Sequence, residues 1–306
     1  MSGYPVVWVE SPLQFVSAAE LAAERGVRMR VVFRLGPQMS ETAAELLARG
    51  AAFASCIPYV GIPWNELARA SEWIVGDGLS GQFRLAAAVL RPKAVTLLDD
   101  GTMSLRLAAA LAGQCAFERP EQRLSGLRAL LGGLARDHLL RLAGQGALAF
   151  FSMFVADAAG TERAEAQRPE FAAAAALGVR LRANRFAWTR RTARPPRLPV
   201  RRVVLGTARV ADGLLDRWEH QAEVSRFAAR GGAVYLPHRR EPAREIDAIR
   251  GIPGVTVVEP GLPVELFLAG LDGLEIRSSG SSADSTLAHI LSRSSAVESS
   301  AVERSG

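Results

Sequence analysis

Residues 93–107 read KAVTLLDDGTMSLRL, and this stretch decides how the rest of the chain is interpreted. Its apolar run, residues 94–98, predicts a buried parallel strand that ends in two adjacent carboxylates, Asp99 and Asp100, and a glycine. Thr102 is placed to cap the helix that follows. Because open α/β sheets bind ligands beyond the carboxyl ends of their strands, the acids are expected either to face a ligand or to form an ordinary turn and helix cap.

Asp99 and Asp100 also have a chemical reason to be noticed. Two like charges side by side disfavour ionisation of both, so one of the two is expected to bind a proton more readily than a free aspartate does. A carboxyl group with a raised pKa suits a general base. Adjacent acids can also hold a divalent cation, so a metal site is a minor alternative interpretation of the pair, and no metal is expected.

Composition limits the class of protein. The chain has 306 residues, of which 49% are hydrophobic and 22% are charged, which predicts a globular protein of two domains with about 150 residues each. Its formal net charge of +6 favours anionic partners. The basic residues are dispersed, with no basic tract interleaved with aromatic residues, so no nucleic-acid partner is expected.

The sequence predicts a cytoplasmic protein. Its two cysteines, Cys56 and Cys115, form no CxxC pair and no disulfide framework, which fits a reducing compartment. The opening residues, MSGYPVVWVESPLQF, lack the pattern of a signal peptide. The most apolar later stretch, residues 146–155, is too short to span a bilayer.

One segment leaves contact with a membrane open. Residues 119–145 carry leucine and arginine at helical spacing, which predicts an amphipathic helix with a basic face. Such a face is either a solvated surface or a contact with an anionic surface, such as the inner face of the membrane, to which the protein would be peripheral.

The order of predicted elements gives the domain organisation. Strands and helices alternate over residues 1–189, and they resume over residues 201–292 after a segment, 190–200, that contains three prolines and four arginines. The segment predicts a linker, and the serine-rich residues 293–306 predict a disordered tail. We therefore expect an α/β fold of two Rossmann-like parallel-sheet domains facing across a cleft, which is similar to the GT-B arrangement.

Polar residues and glycines follow several of the predicted strands. In the first domain, Ser11 and Asp77 come after strands. They are expected to share one rim of the sheet with the acid pair and to line the cleft there. In the second domain, Gly206 and Thr207 follow a strand, and the glycine would let a ligand approach the backbone. His238 follows another strand beside two arginines; a lone histidine is usually structural, and its place at a strand end beside arginines adds contact with an anion as the alternative.

Two helix starts in the second domain complete the candidate residues. Ser285 and Thr286 lie where hydroxyls and free N–H groups of a helix can hold a phosphate, although ordinary capping explains them equally well. Glu265 lies in the first turn of its helix, where it either accepts hydrogen bonds from a sugar or favours the helix dipole.

Taken in order, these features resemble a known family. The acid pair with its glycine, Asp99 to Gly101, then His238, then Ser285 and Thr286, resemble the three motifs of bacterial GT-B sialyltransferases, which include lipooligosaccharide sialyltransferases and capsular polysialyltransferases. The resemblance runs from Val6 to about Leu291.

Two further segments support the resemblance and one residue departs from it. The opening VESPLQ, residues 9–14, looks like the start of the family, and residues 263–265 are similar to its segment with a nucleotide-binding glutamate. The family's second motif is His-Pro, whereas here Pro237 precedes His238.

The resemblance implies an inverting, metal-independent glycosyltransferase. It would move sialic acid, or a related nonulosonate, from a CMP-sugar to a hydroxyl of a glycan or glycolipid, with no cofactor besides the donor. Asp100, or its neighbour Asp99, would remove the acceptor's proton, and His238 would protonate or hydrogen-bond the departing phosphate.

The same resemblance implies a donor side in the second domain, formed by Gly206, Thr207, Glu265, Ser285 and Thr286. Three alternatives remain at this point. The chain could be a transferase of another nucleotide sugar, a sugar-nucleotide epimerase, or a non-catalytic protein that keeps the fold.

Overall fold

A computed structural model describes the chain over residues 4–119, 125–156, 167–280, 282–291 and 295–299. The chain divides into two compact units, Met1–Trp188 and Thr189–Gly306. Each unit holds one sheet whose described strand pairs are all parallel.

The first unit alternates strands and helices, as its sequence pattern predicts. In chain order the elements are β1 (Val6–Val9), α1 (Pro12–Arg25), β2 (Met29–Arg34), α2 (Met39–Ala48), β3 (Phe53–Tyr59), α3 (Trp64–Arg69), β4 (Trp73–Val75), α4 (Gly81–Leu90), β5 (Val95–Leu98), α5 (Met103–Leu111), α6 (Gly126–Gly144), β6 (Leu148–Ser152), α7 (Pro169–Ala176), β7 (Arg180–Ala183) and α8 (Ala187–Arg191). The sheet order is β3-β2-β1-β4-β5-β6-β7.

Local sequence explains how the central strands and the first helix form. β1, β4, β5 and β6 are buried along their whole length, as apolar runs covered on both faces of a parallel sheet are. The helix α1 begins after Ser11, whose hydroxyl accepts a hydrogen bond from the backbone N–H of Gln14, with Pro12 at its first position. It ends at Gly26, which adopts a left-handed conformation with φ 62°.

The second unit repeats the architecture on a smaller scale. Its elements are β8 (Arg202–Leu205), α9 (Arg217–Ala228), β9 (Ala233–Leu236), α10 (Ala243–Arg250), β10 (Val255–Val257), α11 (Val264–Phe267), β11 (Glu275–Ser278), α12 (Ser282–Ile290) and β12 (Ala296–Ser299). The sheet order is β10-β9-β8-β11-β12. The predicted α/β class with two Rossmann-like parallel sheets is confirmed.

The prediction of a disordered tail from residue 293 is wrong in part. Ala296–Ser299 forms β12, which pairs in parallel with β11. Of the four residues of β12, Val297 packs against the core of the second unit. With a single valine in contact with the core, the segment has no repeating apolar pattern that would reveal a strand in the sequence. Residues 292–294 and 300–306 lie outside the described residues.

Part of the predicted linker, residues 190–200, is packed rather than extended. Its first two residues belong to α8. Further on, a Cβ added to Gly270 would lie 2.8 Å from the Cβ of Ala193 and 3.5 Å from Pro195, so within the second unit this segment packs directly on the turn at Gly270.

The helix predicted over residues 119–145 is present as α6, while residues 120–124 lie outside the described part of the chain. Within the described residues, no helix has both the length and the apolar character needed to cross a membrane.

Candidate functional site

Each sheet has one point where its strand order reverses, and some of the predicted site residues follow the strands at these points. In the first sheet this point lies between β1 and β4, which are followed by Ser11 and Asp77 respectively. In the second sheet it lies between β8 and β11, which are followed by Thr207 and Ser279. Ligands of open parallel sheets bind at such reversals, so the topology brings each group of residues to a plausible binding edge.

Asp100 lies just after the C-terminal end of β5, an internal strand of the first sheet, and is half-buried. The Ser11 hydroxyl donates to its Oδ1 over 3.5 Å, and the Gln14 side chain also hydrogen-bonds its carboxylate. With Asp77, Gly78 and other residues it lines a cavity of about 10 Å³, which is room for a single water molecule. The carboxylate is therefore held in place and is partly exposed.

The pKa of Asp100 is raised to about 6. Burial is the main cause and the nearby charge of Asp77 is the second, while Gln14, Arg119 and Ser11 oppose the shift. A carboxyl group that titrates near 6 is largely ionised at neutral pH and still basic enough to accept a proton in a reaction.

Asp99 differs from its neighbour because it is fully buried. Its Oδ2 accepts the backbone N–H of Met153 over 2.6 Å and the side-chain amide of Asn184 over 3.4 Å. Its Oδ1 has no hydrogen-bond partner. Asp99 thus joins the end of β5 to the residues after β6 and β7, and it does not reach solvent.

The expected repulsion between Asp99 and Asp100 is a minor effect. The pKa of Asp99 is raised to about 7 chiefly by burial, and the charge of Asp100 is the last of its causes. The prediction that one of the pair binds a proton more readily holds for both carboxyl groups, but removal from water explains it better than their adjacency.

Asp77 is buried beside the same rim. Its carboxylate forms an ion pair with Arg119, and its Oδ1 accepts the backbone N–H of Leu79 over 2.9 Å. Glu10, at the end of β1, pairs with Arg34 over 3.0 Å, and burial raises its pKa with Asp77 as the second cause. The charge of Asp77 also raises the pKa of Asp100, as the second cause after burial.

Gln14 is a site residue that the sequence analysis left without a role. Its side chain is 2% exposed, its Oε1 accepts the backbone N–H of Glu10 over 2.7 Å, and it hydrogen-bonds Asp100. A Cβ at Gly76 would lie 2.1 Å from that Oε1, so the side chain packs directly on the backbone after β4. The only sequence signal is its place in the first turn of the helix that follows β1.

The predicted cap at Thr102 is wrong. Thr102 occupies the N-cap position with helical dihedral angles and its side chain makes no capping hydrogen bond. The Ser104 hydroxyl instead accepts the backbone N–H of Asp100 over 3.0 Å. The turn after β5 is therefore held by Ser104, a residue within α5, and not by the side chain at the N-cap.

In the second unit, Glu241 organises the loops after β8 and β9. Its Oε1 accepts the Thr207 backbone N–H over 3.1 Å and the Tyr235 hydroxyl over 2.6 Å. Its Oε2 accepts the His238 backbone N–H over 2.8 Å. One carboxylate thus fixes both segments that carry predicted donor-side residues.

Gly206 is required by this packing. A Cβ there would lie 2.4 Å from Glu241 Oε2 and 2.5 Å from the His238 backbone nitrogen. The expectation that the glycine leaves room for a ligand is therefore wrong on this side of the residue, because the segment after β9 already fills the space.

His238 is half-buried and its pKa is lowered to about 4. Burial is the main cause, followed by the charges of Arg239 and Arg240. Its Nδ1 accepts the backbone N–H of Arg240 over 3.2 Å, which leaves the single proton of the neutral ring on Nε2. At neutral pH His238 is therefore a hydrogen-bond donor through Nε2–H and carries no charge.

Three of the four remaining predicted donor residues are buried. Thr207 is 4% exposed, Glu265 is 6% exposed and Thr286 is fully buried, whereas Ser285 is half-exposed at the first turn of α12. Burial also raises the pKa of Glu265. Ser285 is therefore the most exposed residue of this group.

Arg209 links the two strand ends at the second reversal. Its guanidinium donates to the Ser279 carbonyl over 2.9 Å, which ties the loop after β8 to the loop after β11. Among the described residues, no three or more His, Cys, Asp or Glu side chains are grouped so that they could hold a metal ion.

The chain is similar to several solved structures. The putative UDP-N-acetylglucosamine 2-epimerase from Listeria monocytogenes aligns with 93% of this chain and 76% of its own, with a TM-score of 0.53 and 15% sequence identity. UDP-glucose: anthocyanidin 3-O-glucosyltransferase in complex with UDP covers 94% and 79%, at a TM-score of 0.44 and 10% identity. Phytolacca americana UGT2, complexed with UDP-2fluoro-glucose and pterostilbene, covers 97% and 80%, at 0.43 and 12%.

No protein-family model matches the chain and no curated protein matches it. The likeness to the epimerase structure, together with the two parallel sheets of seven and five strands, shows a GT-B fold of two Rossmann-like domains. At 15% identity the likeness concerns the fold alone.

Proposed function

We propose that this chain is an inverting glycosyltransferase that moves sialic acid, or a related nonulosonate, from a CMP-sugar to a hydroxyl of a glycan without a metal ion. The order of the acid pair, His238 and the Ser285-Thr286 pair supports the choice of sugar, since it resembles the sialyltransferase motifs. The observation that carries the proposal is the half-buried Asp100 carboxylate, held by Ser11 and Gln14 at the reversal of the first sheet.

In the proposed reaction, Asp100 accepts the proton of the acceptor hydroxyl as its oxygen attacks the anomeric carbon of the donor. The bond between that carbon and the CMP phosphate oxygen breaks, and the phosphate leaves with the electron pair. Asp99, which is buried behind the turn, acts by positioning the strand ends and touches neither substrate.

On the donor side, His238 contributes a hydrogen bond and not a proton. Its neutral Nε2–H stabilises the charge that develops on the departing phosphate, because a ring whose pKa is about 4 carries no transferable extra proton at neutral pH. The Ser285 hydroxyl and the N-terminus of α12 add further donors. Glu265 and Thr286, both buried, contribute by shaping the donor side.

A second candidate is an enzyme of UDP-sugars, such as an epimerase. Its support is the solved structure with a TM-score of 0.53, whose title names a putative UDP-N-acetylglucosamine 2-epimerase. Transfer needs an acceptor as well as a donor, whereas epimerisation acts on one nucleotide sugar. The two candidates also differ in the nucleotide of that sugar, CMP or UDP, so nucleotide binding separates them.

Isothermal titration calorimetry with CMP, UDP and GDP tests the choice of nucleotide, and conversion of CMP-sialic acid with and without glycan acceptors tests the reaction. We expect heat on binding only with CMP, and transfer that Asp100→Ala abolishes while CMP binding persists. Binding of UDP in place of CMP would favour the second candidate. CMP binding without turnover in the parent protein would indicate a non-catalytic member of the fold.

A further inference from the structure

The first unit contains a cavity whose lining is rich in arginine. Its volume is about 560 Å³, which is within the usual range for sites of small molecules. Arg25, Arg180 and Arg182 line it, and Glu72 is the only acid among the lining residues. We call this space the arginine cavity. It is large enough for a small organic molecule and its lining carries an excess of positive charge.

The arginine cavity lies at the rim of the sheet where the strands begin. Glu72 directly precedes β4, Ala94 directly precedes β5, and Arg180 is the first residue of β7. Because all strands of this sheet are parallel, these positions share one rim, whereas Asp100 follows the opposite end of β5. At about 3.3 Å per residue, β5 separates the two rims by about 15 Å. A ligand in the arginine cavity therefore does not contact the proposed base.

Strand register explains why there is space at this place. Thr96 in β5 pairs with Ala149 in β6, and Ala149 pairs with Arg180 in β7, so the three side chains lie in a row on one face of the sheet. The end of α1 covers the first of them, since Arg25 donates to the Thr96 hydroxyl over 3.0 Å. Ala149 comes next and has a single methyl group. It leaves room between the end of α1 and the edge strand β7.

The three guanidinium groups of the arginine cavity retain unused N–H donors. Arg25 donates to Glu72 over 2.7 Å, while its Nε is buried and has no hydrogen-bond partner. Arg182 donates to Glu24 through Nε, over 3.1 Å, and through Nη2. Arg180 is exposed, and its guanidinium makes no hydrogen bond or ion pair within the described part of the chain. Two of the groups are thus held in place by acids, and the third is available.

Donors of this kind match a phosphate group. A guanidinium presents its N–H groups in a planar fork that fits the oxygens of a phosphate, and one phosphate has oxygens for more than one fork. A buried donor without an acceptor costs free energy, so an acceptor at Arg25 Nε would remove that cost. The rest of the lining, Ala94, Ala149 and Leu181, is apolar and would contact the organic body of such a ligand.

We propose that the arginine cavity binds an organic phosphate of the size of a sugar phosphate. Arg180 is the main contact of the phosphate group, and Arg25 and Arg182 add the donors that their acid partners leave unused. The proposal does not depend on the proposed function, since the cavity and Asp100 lie at opposite rims of the sheet.

Isothermal titration calorimetry of the full chain with glucose 1-phosphate tests the proposal, with glucose and inorganic phosphate as comparison ligands. The test variant is Arg180→Gln, and the matched control is Arg226→Gln, which removes an exposed arginine from α9 in the second unit. Both arginines are exposed, so neither variant disturbs a core. We expect glucose 1-phosphate to bind the test variant about tenfold more weakly than the parent, and the control as tightly as the parent.

Two comparisons sharpen this test. Arg182→Gln should weaken binding by a smaller factor, about threefold, because part of its guanidinium is already used by Glu24. Glucose should not bind, and inorganic phosphate should bind more weakly than glucose 1-phosphate because it lacks the organic body.

Three results would overturn the proposal. They are absence of binding of glucose 1-phosphate to the parent protein, equal binding to the test variant and the control, or binding of inorganic phosphate as tightly as of the sugar phosphate. Calorimetry with CMP on Arg180→Gln reports the proposed function separately. Unchanged CMP binding would support two separate sites, whereas loss of CMP binding would place CMP in the arginine cavity and contradict the proposed donor side instead.

Discussion

Each unit has an acid that holds a loop after a strand, Asp99 in the first and Glu241 in the second, and the functional candidate near each acid shows how burial creates opposite chemistry. In the Asp99 corner, Asp99 accepts the Met153 backbone N–H, and the functional candidate beside it is Asp100. In the Glu241 corner, Glu241 accepts the N–H groups of Thr207 and His238, and the candidate is His238 itself.

Removal from water disfavours the charged form of any group, so it shifts an acid and a base in opposite directions. It raises the pKa of Asp100 to about 6, which produces a proton acceptor, and with two arginines it lowers the pKa of His238 to about 4, which produces a neutral donor. One physical cause thus gives a base in the first unit and a neutral hydrogen-bond donor in the second.

The largest expected effect separates the two acids of the Asp99 corner. Asp100→Asn removes the proposed base and should lower kcat about 10³-fold, whereas Asp99→Asn keeps an oxygen for the Met153 N–H and should retain most of the activity. Steady-state transfer kinetics measure both. Equal losses in the two variants would contradict the division of roles.

Stability against pH provides the control for these variants. The folded-state pKa of Asp99, about 7, lies above its ordinary value of 3.8, so its contribution to stability is present at low pH and lost as the pH rises through 7. Asparagine cannot ionise, and Asp99→Asn should therefore be at least as stable as the parent above pH 7 in urea denaturation. A lower stability there would show that the buried charge itself is needed.

The Glu241 corner should respond more through stability than through chemistry. In Glu241→Gln one oxygen becomes an amide donor that faces a backbone or hydroxyl donor, which should cost about 1–3 kcal/mol of unfolding free energy and weaken CMP binding. Chemical denaturation and calorimetry measure the two effects. Glu259→Gln, at an exposed ion pair with Arg250, is the matched control and should change neither.

The pH dependence of kcat tests the opposite shifts directly. Because Asp100 must be ionised to accept a proton, kcat should rise as the pH passes about 6, and because His238 is already neutral above about 4, no fall from its titration should follow between pH 5 and 8. His238→Gln should keep the rising limb at a lower rate. A falling limb that this variant abolishes would identify His238 as a general acid instead.

The smallest expected effect concerns Gln14, which we regard as a positioning residue. Its hydrogen bond lowers the pKa of Asp100, so Gln14→Met, of similar size, should move the rising limb of kcat to higher pH by less than about one unit. A pH profile measures the shift. A lower rate with an unmoved limb would mean that Gln14 supports the fold and does not tune Asp100.

The fold could be predicted because the central parallel strands are short apolar runs that end at acids or glycine: Glu10 follows β1, Gly76 follows β4 and Asp99 follows β5. β7 was missed since Arg180–Ala183 is an edge strand with arginine at alternate positions. β12 was missed for the similar reason that a single valine of the strand packs on the core.

The site could be predicted only as far as chain position determines it. Position placed Asp99 and Asp100 at a ligand rim, but which of them is buried depends on Met153 and Asn184, which are distant in sequence. Glu241 precedes α10 and turns back to bind the loops after β8 and β9. No local pattern reveals such a contact.

The strand orders also have a consequence for synthesis on the ribosome. In both sheets the strand made first, β1 or β8, is internal, and it needs a late partner, β4 or β11, on its second edge. During translation each first strand therefore waits with one edge unpaired until its late partner has emerged. A nascent chain that stalls before Trp73 exposes the buried apolar run of β1, which makes that interval the one in which a chaperone would be of most use.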